Sequence, residues 1–112
     1  MAALHQHRDL FPGALEMMIL HTLRRGPLHG YAIAQHITQT SADLLRIEEG
    51  SLYPALHRME EAGWIQASWV DKGKGRRSRV YELTAQGRKQ LATEEVRWTT
   101  VVRGVQRVLK LA

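Results

Sequence analysis

The sequence predicts an α+β fold, mostly α: a winged helix-turn-helix of three helices and a two-stranded wing, followed by a long C-terminal helix. Three observations predict it. Apolar residues recur at helical spacing in three short stretches before Gly63, and the third stretch has a polar front. After Gly63 the apolar period changes to two on both sides of a glycine-containing loop, which is typical of a β-hairpin. From Thr84 the helical period returns and continues to about Leu109.

Length and composition limit the class of protein. At 112 residues the chain is one domain, or one domain with an extended helix. It has no cysteine, which excludes disulfides and thiolate zinc sites, and no apolar run approaches the ~20 residues that cross a bilayer. No signal-peptide pattern follows Met1, so we expect a cytoplasmic protein. The net charge of +5 favours a polyanionic partner, most often nucleic acid, although a merely basic soluble protein has the same bulk charge.

The chain begins with residues 1–11, which are polar with little pattern and are predicted to be a flexible arm without a metal site. Pro12 and Gly13 then mark the start of a first helix over about residues 14–25. Its apolar arc is wide, which predicts a largely buried helix, and Gly26-Pro27 ends it.

A second helix is predicted to begin at Leu28 or His29 and to end at Gln39, with Tyr31 on its apolar side. A polar loop follows it. Three apolar residues after that loop are expected to return to the core, namely Leu44, Leu45 and Ile47.

The third helix carries the polar front on which the functional prediction depends. We expect Ser51 to cap its first turn, Pro54 to fall where a missing N–H has no helical partner, and Gly63 to end it. The predicted back is Leu52, Ala55, Leu56 and Met59, and the front is Ser51, Pro54, His57, Arg58 and Glu61, with Tyr53 on the border. This pattern suits a helix that is docked on a core and presented to a DNA groove, although any amphipathic surface helix shares it.

A β-hairpin is predicted next, with strands over residues 64–70 and 78–83. The loop between them, residues 71–77, has two glycines and four cations. In a wing, the cations neutralise phosphate and the glycines allow the backbone to approach a duplex closely. The residues predicted to contact DNA from the wing are Lys72, Lys74, Gly75, Arg76 and Arg77. The alternative is a solvated hairpin that its charge keeps soluble.

Thr84 is predicted to cap the last helix, which is longer than the typical ~11 residues. Apolar residues seven apart give it a short heptad seam. Such a seam would be exposed on a monomer, so we expect a homodimer, with packing back onto the same chain as the alternative. The predicted interface is Leu91, Trp98, Val101, Val102, Val105, Val108 and Leu109. Residues 12–83 are then the DNA-binding domain and residues 84–112 the dimerisation helix.

Three stretches taken together resemble PadR-like transcriptional regulators. They are residues 26–33, GPLHGYAI; residues 49–60, EGSLYPALHRME; and residues 75–88, GRRSRVYELTAQGR. Each alone is weakly specific, but the set is quite specific, and the resemblance covers nearly all of residues 12–109. A single C-terminal helix matches the compact subgroup of that family.

The resemblance implies a bacterial winged-helix dimer, usually a repressor, that binds a pseudo-palindromic operator. It places Ser51, Tyr53 and Pro54 at the DNA surface, together with Tyr31 of the preceding helix and the wing residues 75–77. Some members bind flat aromatic effectors between the paired C-terminal helices. Trp98 is the candidate platform for such an effector, and the alternative is that Trp98 anchors the dimer core.

The sequence thus predicts a dimeric, sequence-specific DNA-binding regulator in which His57 and Arg58 reach base edges. Adjacent acid pairs and isolated histidines, without a nucleophile or a phosphate loop beside them, predict no enzyme, no cofactor and no metal. Two alternatives remain. A sequence-neutral architectural DNA-binding protein shares the basic wing without base readout, and a pure dimerising adaptor binds no DNA.

Overall fold

A computed structural model of the chain describes residues 13–110. Its elements are α1 (Ala14–Thr22, continued by a 3-10 turn, Leu23–Arg25), β1 (Leu28–His29), α2 (Gly30–Thr40), α3 (Glu49–Glu61), β2 (Ile65–Gly73), β3 (Arg76–Leu83) and α4 (Ala85–Val108). Three helices, a hairpin and a long last helix follow one another as predicted, so the winged helix-turn-helix fold is confirmed. The predicted arm, residues 1–11, and the last two residues of the chain lie outside the described residues.

The hydrophobic core lies where the first three helices meet. Its largest fully buried side chains are Ile19, Leu20, Leu23, Ile33, Leu52, Leu56 and Met59. Tyr81 of β3 and Leu91 of α4 extend this cluster to the sheet and to the last helix. Because α3 contributes its whole apolar side, the core fixes α3 from behind and leaves its opposite side to solvent.

The sheet has three antiparallel strands in the order β1-β3-β2, one strand more than predicted. β1 pairs Leu28 with Tyr81 and His29 with Val80. The prediction that α2 begins at Leu28 or His29 is therefore wrong, and α2 begins at Gly30. These two residues are extended because the edge of β3 offers their backbone groups partners that a first helical turn lacks.

The turn of the hairpin is tighter than predicted. β2 continues to Gly73 and β3 begins at Arg76, so the predicted loop over residues 71–77 is wrong. Only Lys74 and Gly75 connect the strands, with φ of 53° and 74°. Positive φ at both positions matches the right-handed twist of paired strands. The strands therefore include the other cations of this segment, which are Lys72, Arg76 and Arg77. The alternation of side chains along each strand sets the face of the sheet from which each cation projects.

α3 begins earlier than predicted. Its first residue is Glu49, and the carbonyl of Glu48 accepts a hydrogen bond from the Ser51 N–H at 3.0 Å. Ser51 therefore lies within the first turn and is not the cap, contrary to the prediction. Pro54 lies in the second turn, where its missing N–H leaves the Gly50 carbonyl without a helical donor. Gly50 is exposed, so water can satisfy that carbonyl.

The end of α3 is as predicted. Gly63 has φ of 81° and follows the last turn of the helix. Its N–H donates to the Glu60 carbonyl at 3.0 Å, and the Trp64 N–H donates to the Met59 carbonyl at 3.0 Å. This pair of bonds is the Schellman motif, which needs a left-handed residue where glycine stands.

α4 is capped by Thr84 as predicted, because the Gly87 N–H donates to Thr84 Oγ1 at 3.0 Å. The start of this 24-residue helix lies against Trp64 and Leu83, and its middle lies beside α1, where Glu95 Oε2 is 3.1 Å from His21 Nδ1. Leu91 is only 5% exposed and belongs to the core of its own chain, so its assignment to a dimer interface is wrong. No helix within residues 13–110 has the length and hydropathy needed to span a bilayer.

Two residues of the predicted apolar pattern lie at the surface. Leu44 was expected to return to the core, and Tyr31 was expected on the apolar side of α2, although the resemblance placed it at the DNA surface. Tyr31 is 69% exposed and Leu44 is 85% exposed. Tyr31 is in the first turn of α2, beyond the end of the core. Leu44 follows Ala42 and Asp43, whose positive φ values turn the chain. The two other apolar residues predicted to return there, Leu45 and Ile47, do pack against the core.

Candidate nucleic-acid interface

The front of α3 is formed by the residues that were predicted to form it. Pro54, His57 and Arg58 are exposed, Tyr53 is 43% exposed and Ser51 is partly buried. The back consists of Leu52, Ala55, Leu56 and Met59, each at most 1% exposed. The predicted division into an apolar back and a polar front is therefore confirmed, and α3 presents a hydroxyl, an imidazole and a guanidinium along one side.

Carboxylates hold the two long side chains on this front. Arg58 Nη2 donates to Glu16 Oε2 of α1 at 2.9 Å, and His57 Nε2 lies 3.6 Å from Glu61 Oε2. A guanidinium carries five N–H donors, so Arg58 keeps donors for another acceptor while Glu16 orients it. The role of Glu16 was not predicted from the sequence, because its pairing with Arg58 joins two separate helices.

Tyr53 connects α3 to the start of α2. A Cβ at Gly30 would lie 3.0 Å from Tyr53 Cε1 and 3.1 Å from its hydroxyl oxygen. A side chain at this position would crowd the ring and require it to shift, which accounts for a glycine whose role the sequence leaves open. Tyr31 is the next residue, so two tyrosines from successive helices lie at one place on the surface.

An open cleft of about 300 Å³ lies between these tyrosines and the wing, by which we mean the β2–β3 hairpin. Residues from three separate parts of the chain line it, including His29, Tyr31, Tyr53, Lys72, Ser78 and Arg79. The structure therefore brings together Tyr31, Tyr53 and Lys72, which were predicted as DNA-binding residues from separate stretches of sequence.

Four cations project from the wing, namely Lys72, Lys74, Arg76 and Arg77, and all four are exposed. Within residues 13–110 none of them forms an ion pair with a carboxylate. Asp71, the nearest acid in sequence, instead accepts a hydrogen bond from the Gly73 N–H at 2.8 Å. The charge of the wing is therefore available to an external anion.

A cluster midway along the wing was not predicted from the sequence. It is formed by Glu60, Trp69 and Arg79, and we call it the anchor cluster. Arg79 Nη2 donates to Glu60 Oε2 at 2.8 Å, and its guanidinium carbon lies 5.8 Å from the centroid of the Trp69 ring. It also lies 5.8 Å from the Tyr81 ring, and burial raises the pKa of the Tyr81 hydroxyl above its ordinary value. The signal was present in the sequence, since Trp69 and Arg79 face each other across the hairpin.

The seam of α4 forms a second surface of interest. Val101, Val105, Val108 and Leu109 are 43%, 44%, 80% and 59% exposed, and Val102 is partly buried. With Leu91 excepted, the predicted interface residues thus keep accessible apolar surface.

Trp98 is partly buried and lines a cleft of about 460 Å³ together with residues of α1 and α2. It also borders a smaller cleft of about 180 Å³ beside Gly13. Volumes of a few hundred cubic ångströms are in the range of small-ligand pockets.

Histidines in the described part of the chain contact one or two polar side chains. His29 Nδ1 lies 2.6 Å from Ser78 Oγ. His21 Nδ1 lies 3.1 Å from Glu95 Oε2, and its Nε2 lies 3.1 Å from Arg24 Nη2. No three His, Asp or Glu side chains between residues 13 and 110 are grouped so that they could hold a metal ion. The predicted arm with His5 and His7 lies outside those residues.

Comparison with known proteins places this architecture in a family. The model of the transcriptional regulator PadR-like family matches residues 19–93. A transcriptional regulator of Mycobacterium tuberculosis is 35% identical over 89 residues, which are 78% of this chain and 78% of that protein.

Solved structures agree with this match. A transcriptional regulator from Clostridium thermocellum superimposes with a TM-score of 0.82 at 27% identity, over 88% of this chain and 96% of that one. Bacillus subtilis PadR in complex with operator DNA gives 0.68 at 25% identity, over 74% of this chain and 47% of that one. The family match runs from α1 through the wing into α4, and the chain belongs to the PadR-like family of transcriptional regulators.

Proposed function

We propose that the chain is a dimeric, sequence-specific DNA-binding regulator that represses transcription in the bacterial cytoplasm. The observation that carries this proposal is the cleft where Tyr31, Tyr53 and Lys72 meet, between the polar front of α3 and a wing whose four exposed cations form no ion pair within residues 13–110. Cations without a carboxylate partner suit the phosphates of a duplex, and a polar helix front suits base edges. A similar structure, that of Bacillus subtilis PadR, is bound to operator DNA.

The proposed contacts divide into two kinds. His57 and Arg58 extend from the exposed front of α3 and read base edges in the major groove. The residues proposed to hold the phosphate backbone are Tyr31, Ser51, Tyr53, Pro54, Lys72, Lys74, Gly75, Arg76 and Arg77. Phosphate contacts fix the position of the protein and base contacts supply the sequence preference.

Dimerisation is the second part of the proposal. Residues 84–112 are the proposed dimerisation segment, which contains α4, and residues 12–83 are the proposed DNA-binding domain. The apolar side chains from Trp98 to Leu109 pair with those of a second copy, because the single chain leaves them accessible to water. Pairing places two α3 helices in successive major grooves of a pseudo-palindromic operator, about 34 Å apart.

A small aromatic effector is the third part. The cleft beside Trp98 has a volume of about 460 Å³, which suits a planar ligand stacked on the indole. The alternative is that Trp98 only anchors the dimer. A Trp64→Phe/Trp69→Phe variant leaves Trp98 as the one tryptophan of the chain, so quenching of its fluorescence by planar compounds supports the effector site. Unchanged fluorescence across a panel of such compounds supports the anchor.

The experiment that tests the function is selection of bound DNA from a random pool by the purified protein at two salt concentrations. Enrichment of an inverted repeat, with binding that weakens as salt rises, is the expected result. Salt-sensitive binding without any enriched sequence would favour a sequence-neutral architectural protein. Absence of salt-sensitive binding would favour the dimerising adaptor and overturn the proposal.

A further inference from the structure

We propose that Arg79 is a positioning residue: through Glu60 and Trp69 it fixes the angle between the wing and α3, and so sets where the wing cations meet a duplex. This inference rests on the proposed DNA binding and goes beyond it, because it assigns one of the basic residues of the wing to a role other than phosphate contact.

The sheet narrows from three strands to two at Arg79. β1 pairs only with Val80 and Tyr81 of β3. From Arg79 to the turn, the wing has two strands and no third one beside it. An isolated two-stranded hairpin is only marginally stable in water, so its orientation depends on contacts at the point where the third strand ends.

Arg79 supplies contacts at that point. Its guanidinium donates to Glu60 of α3 at 2.8 Å and lies 5.8 Å from the rings of both Trp69 and Tyr81. Glu60 is only 23% exposed, so the pair is more shielded from water than a typical surface ion pair. The planar guanidinium can bond the carboxylate and contact aromatic rings at the same time, which a lysine ammonium cannot do in the same geometry.

The same cluster continues toward the tip of the wing. Arg77, two residues nearer the turn, has its guanidinium carbon 5.2 Å from the Trp69 ring, so both arginines contact this ring. On the neighbouring residue of β3, Ser78 Oγ lies 2.6 Å from His29 Nδ1. Side-chain contacts thus join the wing, at the point where the third strand ends, both to α3 and to His29 of β1. Arg77 remains available to an anion.

The effect on DNA affinity of removing a negative charge distinguishes this role from a phosphate contact. If Arg79 binds phosphate, Glu60 competes with DNA for its guanidinium, and removing the carboxylate strengthens binding. If Arg79 positions the wing, Glu60 is needed for that position, and removing the carboxylate weakens binding although the protein becomes more positive. The two roles therefore predict opposite signs for the substitution Glu60→Gln.

The test uses the full chain and a labelled duplex of about 30 base pairs carrying the selected consensus, which accommodates two half-sites one turn apart. We expect Glu60→Gln and Arg79→Gln each to weaken binding about fivefold, the size of one partly exposed ion pair with its ring contact. The double variant should bind no more weakly than either single one. Unchanged or tighter binding by Glu60→Gln would overturn the proposal.

Glu82→Gln is the matched control, because it removes the same charge from an exposed residue of β3 whose carboxylate accepts a hydrogen bond from Gln66 at 3.1 Å and forms no bond with Arg79. It should bind as tightly as the wild type or more tightly. A second readout is Arg76→Gln, which should weaken binding less in the Arg79→Gln background than in the wild type. A mere loss of folded protein would leave the cost of Arg76→Gln unchanged and would count against the proposal.

A measurement without DNA separates failure of this inference from failure of the proposed function. Amide hydrogen exchange in β2 and β3 between Trp69 and Arg79 should be faster in Glu60→Gln and Arg79→Gln than in the wild type or Glu82→Gln. Equal exchange in all four proteins rejects the positioning role, whatever the DNA result. Faster exchange, in a wild-type protein that shows no salt-sensitive DNA binding, would reject the proposed function and leave the anchor cluster as a purely structural feature.

Discussion

Gly87 is the residue where the backbone of α4 comes closest to the rest of the chain. A Cβ built there would overlap the carbonyl oxygen of Trp64 and lie 2.9 Å from Leu83 Cδ1. Its N–H donates to the Thr84 hydroxyl that caps the helix. The absence of a side chain therefore allows α4 to begin directly against the start of β2.

We expect Gly87→Ala to lower the free energy of unfolding by about 3 kcal/mol, because the overlapping atom is backbone and cannot move without displacing a strand. Urea denaturation followed by circular dichroism measures this change. Gly50→Ala is the matched control, since nothing lies within 4 Å of a Cβ at that helical position. It should raise stability by about 0.5 kcal/mol, as glycine weakens a helix. Equal effects of the two substitutions would contradict the packing argument.

The glycines also show what could be predicted at the scale of single residues. Gly63 was predicted correctly because its role depends on the helix that it ends. The packing roles of Gly30 and Gly87 do not follow from the local sequence, because they depend on Tyr53 and Trp64, which approach from other elements. The same reason explains why Ser51 was assigned as a cap: the start of α3 depends on the backbone of Glu48.

Among the elements, the wing combines a turn of defined backbone conformation with charges that long side chains carry. The positive φ values of Lys74 and Gly75 fix the turn, while long side chains carry the charge. A phosphate contact from such a side chain adds affinity for every DNA sequence, because it releases counterions without reading bases. Substitutions in the wing and in α3 are therefore expected to change DNA binding differently: the first should lower affinity for every sequence, and the second should lower the preference for the operator.

Arg76→Gln should weaken binding to the operator and to random DNA by the same factor, and should reduce the slope of log affinity against log salt by about one. Titration of both duplexes by fluorescence anisotropy at several salt concentrations measures both effects. Arg103→Gln removes the same charge from an exposed position of α4 and should leave the slope unchanged. A loss on the operator alone would mean that Arg76 reads bases.

The errors in predicting β1 and the hairpin loop have a common cause. β1 has only two residues, too few to show any period, and it exists because the edge of β3 is beside it. The predicted loop over residues 71–77 is too long, because charged residues and glycines are typical of loops. Cross-strand pairing extends both strands through these residues, to the two-residue turn.

For the whole molecule, the unusual feature is a 24-residue helix of which only the start is buried. At 1.5 Å per residue α4 is about 36 Å long, and Leu91 is its last fully packed apolar residue. Beyond it, Val101, Val105 and Val108 are 43%, 44% and 80% exposed along one side. A stripe of this kind is typical of a helix that pairs with another copy.

Val105→Glu should convert the protein to a monomer, because dimerisation would bury a carboxylate without a partner at a cost of at least about 2 kcal/mol per chain. Sedimentation velocity across a concentration series measures the change, and operator affinity should fall with it. Thr100→Glu adds the same charge on the opposite side of α4, where Thr100 is exposed, and should leave the dimer intact. If the wild type sediments as a monomer at every concentration, the dimer proposal is rejected.

Patterns of neighbouring residues were enough to predict the winged fold, the apolar back and polar front of α3, the Thr84 cap and the charged hairpin. Each depends on contacts between residues a few positions apart, which repeat regularly in a helix or a strand. Folding of the whole chain was needed for β1, for the burial of Leu91 within its own chain and for the bond between Glu60 and Arg79. Those two residues are 19 positions apart and belong to different elements, so no local period links them. They meet only because the common core fixes where α3 and the sheet lie.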